Sequence, residues 1–137
     1  MPRLAGKIAI VTGAAQGQGA AVARAFVAEG AKVVIADVAD EPGELLAKEL
    51  DSANKGAAYF RHHDVSDEAS WTGLVAEANE RFGPVNVLGN NAGVLRFGEV
   101  DTMPLEDFEL LFRVNQMGCF LGMRAVIPTM KSHGQGS

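Results

Sequence analysis

The sequence predicts an α/β fold in three layers, with helices on both faces of a parallel sheet. Three observations lead there. Short apolar runs alternate with longer helical ones along the whole chain. The short runs carry valine, isoleucine and alanine at consecutive positions, as strands covered on both faces do. Glycine or a Gly-Pro pair marks the boundaries between them. The order βαβαβαβα then calls for parallel pairing through right-handed crossovers.

The first strand is read over Lys7 to Val11, a compact apolar run that leads into a glycine turn. A helix follows from Gln18 to Glu29. Val22 with Phe26 and Ala23 with Val27 stand four apart, the spacing of one face packed on a sheet. Gly30 stops it. Lys32 to Asp37 is the second strand. Glu41 to Ser52 is the second helix, with Leu45, Leu46 and Leu50 read as inward. Ala57 to His62 is the third strand. The third helix runs from Asp67 to Phe82, with Ser66 as the expected N-cap and Trp71, Leu74, Val75 and Ala78 on its inner face. Gly83-Pro84 resets the chain before a fourth strand over Val85 to Leu88. One long helix is expected from about Pro104 to Met130. The end, Gly134 to Ser137, reads as a loop leading toward a fifth strand.

A chain of 137 residues with 47% hydrophobic residues can bury a core as one domain. Its net charge of -5 argues against nucleic acid, whose phosphates an acidic surface repels. No apolar stretch has the length to span a bilayer, and the first seven residues lack the apolar core of a signal peptide. The single cysteine, Cys119, excludes an internal disulfide and reads as a small buried hydrophobe; a cytoplasmic location is the default. His62 and His63 are adjacent, so a strand sends them to opposite faces. No further set of ligand residues has metal spacing, and no metal is expected.

The residues that point to chemistry come in order along the chain. Thr12-Gly13-Ala14-Ala15-Gln16-Gly17-Gln18-Gly19 lies between a strand and a helix. A pyrophosphate is held at such a helix start by exposed N–H groups and the helix dipole, with no side chain in the way. A purely structural turn is the other reading of the same glycines. No Gly-Lys-Ser/Thr follows, so a phosphate loop of the NTPase type is disfavoured. Asp37 ends the second strand, eighteen residues after Gly19. An acid there accepts from both hydroxyls of an adenosine ribose and repels a 2′-phosphate, which favours NAD over NADP; Gln16 offers no compensating charge. A solvated loop acid is the alternative. Asp64-Val65 ends the third strand, where an aspartate suits an adenine amino group. Asn90-Asn91-Ala92-Gly93 follows the fourth, and Asn115 sits inside the long helix, where local bonding is its plain reading.

Together these motifs resemble the first half of a classical short-chain dehydrogenase/reductase, over Leu4 to Ser137. The segments Phe120-Leu121-Gly122-Met123 and Val126 to Lys131 look most like members that oxidise steroid or other secondary alcohols. The resemblance implies an incomplete Rossmann-type domain over residues 1–137 with strand order 3-2-1-4. It implies that Thr12, Gly13, Gln16, Gly17, Gln18, Gly19, Asp37, Asp64, Val65, Asn91, Ala92 and Gly93 serve the cofactor, and that Thr12 bonds toward the asparagine segment. Asn115 matches the helix asparagine whose carbonyl holds a water in the family's proton relay. In the family the last helix also forms part of a dimer contact, so self-association through residues 104–130 is expected.

Three departures qualify the resemblance. Gln18 stands where an apolar residue is usual, which puts an amide near the nicotinamide ribose. Gly89 replaces a β-branched residue, which should loosen the fourth strand. The catalytic serine and the Tyr-x-x-x-Lys are absent: the one tyrosine, Tyr59, has His63 four positions on. The expectation is an NAD-dependent oxidoreductase for secondary alcohols and ketones, of which this is a cofactor-binding portion inactive alone. A catalytically dead NAD-binding module and a truncated product without a stable fold are the alternatives. A methyltransferase is disfavoured by the asparagine segment and the glycine spacing.

Overall fold

The computed structural model describes residues Met1 to Ser137. Four strands, β1 (Ile8–Thr12), β2 (Lys32–Asp37), β3 (Ala58–His62) and β4 (Val87–Gly89), form one parallel sheet in the order β3-β2-β1-β4. Helices α1 (Gly17–Ala28), α2 (Asp40–Ala53) and α3 (Glu68–Phe82) connect them, and α4 (Leu105–Leu111) and α5 (Gly118–His133) follow β4. The register pairs Val11 with Ile35 on one side and with Gly89 on the other. The expected strand order and α/β layering are those observed.

The alternation of each strand divides the core in two. Ala9, Val11, Val33 and Ile35 face α1 and α2, where Ala23, Val27, Leu46 and Leu50 cover them. Ile10, Val34, Ala36 and Tyr59 face α3 and α5, where Trp71, Leu74, Val75, Leu121 and Val126 do the same. Every one of these strand residues except Tyr59 is fully buried. At roughly 1.5–3 kcal/mol per large apolar side chain, these two layers are the main source of stability.

Several local expectations are corrected. Leu45 is exposed; α2 turns Gly43, Leu46, Ala47 and Leu50 inward instead, a stripe spaced three, four and seven residues apart. Asp67, not Ser66, caps α3, its carboxylate accepting from Ala69 N at 3.1 Å. The Ser66 hydroxyl donates to Asp64 Oδ1 at 2.7 Å instead. Cys119 is only half-buried, its thiol directed at the Asn115 carbonyl. The fourth strand begins later than expected because the Val85 N–H goes to Asn79 Oδ1 at 3.0 Å and so never joins the ladder. It is three residues long and half-buried, and a Cβ at Gly89 would make only ordinary contact with Val11. Its outer edge is not bare: Leu88 N donates to Ser137 O at 2.9 Å and Ser137 N to Asn86 O at 3.0 Å, a parallel pairing.

The long helix is interrupted. A π-helical turn over Phe112–Met117 joins α4 to α5, and the helical path runs on to His133, where Gly134 ends it in the left-handed conformation. No helix is long and apolar enough to cross a membrane.

His63 is the one histidine in the core, with its ring edge-on to Trp71 at 4.3 Å. Burial pushes its pKa down to about 4, with smaller effects from Asp64 and Arg61. A histidine held neutral contributes full stability above its unfolded value of about 6.5, and loses it as pH falls toward the folded value. Urea unfolding at pH 7 and pH 5 is expected to show about 2 kcal/mol less stability at the lower pH, and a His63→Asn variant to show a flatter profile.

Candidate cofactor-binding site

The C-terminal ends of the four strands open into one cleft of about 400 Å³. Gly13, Gln16, Asp37, Asp64, Val65, Asn91, Ala92 and Gly93 line it, so most of the expected site residues meet there. Thr12 lies just beneath, buried. Gly17, Gln18 and Gly19 form the first turn of α1, directly after the lining residue Gln16. Asn115 is behind the wall rather than in it.

The turn from β1 into α1 supplies the donors. Gly13 and Gly17 have φ of 62° and 61°, the left-handed region that side chains avoid. A Cβ at Gly19 would collide with the Gly13 carbonyl, so the helix start and the strand end can approach this closely only without one. Gln16 caps α1 with no side-chain bond, and no acid stands in the first turn. The N–H groups of Gly17, Gln18 and Gly19 reach no acceptor within the protein. Free donors at the positive end of a twelve-residue helix favour an anion such as a diphosphate.

Asp37 supplies the acceptors. Its Oδ2 accepts from Ala15 N and its Oδ1 from Ala39 N, each at 3.0 Å. These bonds fix the carboxylate at the end of β2 while leaving lone pairs directed elsewhere. A ribose diol and a diphosphate therefore both find partners of the right polarity here, and a nicotinamide dinucleotide fits the donor and acceptor set.

The facing wall comes from the segment after β4. Thr12 Oγ accepts from Asn91 N at 3.1 Å and Ala92 N at 3.0 Å. Asn91 Nδ2 donates to the carbonyls of Thr12 and Gly13 at 3.1 and 3.2 Å. Asn115 clasps the next residue with its side chain: Oδ1 accepts from Val94 N at 2.8 Å and Nδ2 donates to Val94 O at 2.9 Å. The π-helical turn that contains Asn115 sets it against this segment.

Asp64 lies on the third side. Its pKa is held below the usual carboxylate range, first by the Ser66 hydroxyl, so it stays ionised. Val38, Ala39, His63, Val94 and Val114 also line the cleft, positions that the sequence does not mark as belonging to it. Val38, His63 and Val94 adjoin Asp37, Asp64 and Gly93, Val114 adjoins Asn115, and Ala39 follows Val38. No group of three or more His, Cys, Asp or Glu side chains is placed to hold a metal ion.

Comparison with known proteins agrees with this geometry. The short chain dehydrogenase family profile matches residues 7–137. A 3-alpha-(or 20-beta)-hydroxysteroid dehydrogenase from Mycobacterium tuberculosis is 47% identical over 135 residues, covering 98% of this chain and 50% of its own. A trans-4-hydroxycyclohexanecarboxylate dehydrogenase from Sinomonas cyclohexanicum is 40% identical, covering 96% and 53%. An NADP-dependent (R)-specific alcohol dehydrogenase from Lentilactobacillus kefiri is 44% identical, covering 98% and 53%. The chain spans about half the length of the curated relatives it matches. With its glycine turn, its parallel 3-2-1-4 sheet and the Asn-Asn-Ala-Gly wall facing them, the chain belongs to the short-chain dehydrogenase family of oxidoreductases.

Proposed function

We propose that this chain is the cofactor-binding portion of an NAD-dependent oxidoreductase acting on a secondary alcohol or ketone, and that it does not turn over alone. When bound, the nicotinamide ring supplies or accepts the hydride. The chain's own residues bind and orient the dinucleotide. The N–H groups at the start of α1 take the diphosphate, Asp37 the adenosine ribose, and Asp64 with Val65 the adenine. Asn91, Ala92 and Gly93 form the wall toward the nicotinamide half, Gln18 lies near its ribose, and Asn115 supplies a carbonyl for a proton relay. Relatives named for hydroxysteroids and for a hydroxycyclohexane acid support a ring-borne secondary alcohol as substrate class.

The preference for NAD rests on Asp37. Family membership leaves the choice open, since one relative is named NADP-dependent. A carboxylate tied to two backbone N–H groups cannot swing aside to admit a 2′-phosphate. Asp37→Ala is expected to weaken NADH at least tenfold, about 1.4 kcal/mol, in a titration calorimeter, and to leave NADPH unchanged or tighter. Equal loss for both would remove Asp37 from this role.

The absence of turnover rests on the missing proton donor. General acid help is worth roughly 10²–10⁴ in rate, and positioning a dinucleotide does not supply it. Purified chain, NADH and a secondary ketone are expected to show only the background loss of the absorbance of the reduced ring. Enzyme-dependent oxidation would refute the reading. Binding without turnover also fits a stand-alone NAD-binding module, the second reading.

The remaining surface supports self-association. Phe108, Phe112, Phe120, Met123 and Ile127 are exposed along the last helical stretch. Light scattering is expected to give a mass of two chains or more, and a stable monomer would count against it. A cytoplasmic setting suits a nicotinamide-dependent reading with one unpaired cysteine.

A further inference from the structure

Asp64 and Val65 line the cleft, yet they sit on the turn that leaves β3, a segment with no ladder to hold it. Their position is fixed by side chains of α3. The Ser70 hydroxyl accepts from Asp64 N at 3.2 Å and meets His63 Nδ1 at 2.7 Å. Trp71 Nε1 donates to Val65 O at 2.9 Å, and its ring stands edge-on to His63. From the other side Val65 presses on Gly118, where a Cβ would come within 2.8 Å of Val65 Cγ2.

The bonding leaves a definite pattern at Asp64. Oδ1 accepts from both the N–H and the hydroxyl of Ser66, at 2.9 and 2.7 Å. Oδ2 accepts from no protein group. One oxygen holds the turn closed, and the other is free at the cleft wall. A hydroxyl that accepts the Asp64 N–H still has its own proton to give, and His63 Nδ1 is the acceptor within reach. That arrangement places the imidazole proton on Nε2, the buried atom without a partner.

We propose that Ser70, backed by His63, is a positioning residue for the adenine end of the cleft. Its hydroxyl holds the Asp64–Val65 turn so that the free Asp64 oxygen can accept from the exocyclic amino group of the base. This deepens the nucleotide reading above and rests on it. A purely structural role would loosen the whole cleft alike. A positioning role acts on recognition of one amino group.

The probe that separates these is NAD⁺ against nicotinamide hypoxanthine dinucleotide, in which a carbonyl oxygen replaces that amino group. The wild-type chain is expected to bind NAD⁺ roughly three- to tenfold tighter, the size of one net hydrogen bond. Ser70→Ala is expected to bring the ratio to about one, and Ser70→Thr, which keeps the hydroxyl, to preserve it. His63→Asn retains an acceptor for the Ser70 proton and is expected to keep the preference; His63→Leu is expected to lose it. In the same variants, hydrogen exchange at the Asp64 amide should speed up in Ser70→Ala while Val33 and Ile35 stay protected. An unchanged Asp64 amide, or a preference that survives Ser70→Ala, overturns the role of Ser70 alone. A wild-type chain that binds NAD⁺ without discriminating the analogue overturns the Asp64–adenine contact and the proposal with it. No binding of either dinucleotide overturns the nucleotide reading itself.

Discussion

The hydroxyl of Thr12 joins the two halves of the cleft. Parallel strands diverge at their C-terminal ends, and β1 is the strand where the chain reverses direction across the sheet, with β2 on one side and β4 on the other. Left alone, the half-buried Ala92 N–H would have no partner within the protein, a cost of up to roughly 1–3 kcal/mol, and the Asn91 N–H only the carbonyl of Gly89 at 3.0 Å. Thr12 Oγ accepts both, from Asn91 and Ala92, and Asn91 returns its amide to the carbonyls of Thr12 and Gly13. The glycine turn and the facing wall thus become one rigid unit. Everything the cleft presents, from the free N–H groups of α1 to Gly93, is placed relative to that contact.

The polarity of the site follows from the same geometry. A helix start offers only donors, and a carboxylate offers only acceptors. Asp37 and the first turn of α1 are tied to each other through Ala15 N, so the two opposite preferences are held a fixed distance apart. A ligand must be anionic at one point and carry hydroxyl donors at the next. Diphosphate followed by ribose meets that demand, whereas a ligand of uniform charge does not.

Much of this was legible in the sequence because backbone requirements leave marks on residue type. Two left-handed positions at a strand end require glycine, so Gly13 and Gly17 stand out. Strands buried on both faces need unbroken apolar runs, so β2 was found to the residue. What was missed depends on side chains choosing between equivalent partners. Ser66 and Asp67 are both good caps, and only the pull of Asp64 on the Ser66 hydroxyl decides between them. Leu45 and Leu46 are adjacent and chemically alike, and the exact phase of α2 exposes the first. The π-helical turn left no pattern either, since no residue type demands it. His63 gave no signal as a cleft residue because its burial depends on Trp71 and Ser70, one helix away.

The ionisable groups that remain are set against proton transfer. A proton donor for an alcohol oxygen needs a pKa brought down toward neutrality and an open path to the reacting atom. Tyr59 has neither. Burial first, and then the Glu77 carboxylate, push its pKa up to about 12, and its hydroxyl is enclosed with no partner. The Arg81 guanidinium lies over the ring face at 3.7 Å rather than at the oxygen, so it does not reverse the effect of burial. His63, which lines the cleft, is driven the other way, to about 4, and is neutral at working pH. The four strand ends thus line a cleft with donors and acceptors, while the tyrosine this chain carries serves the core. On the proposed reading, chemistry begins only where a hydroxyl is brought to the open side of the Asn91–Gly93 wall with a cation beside it.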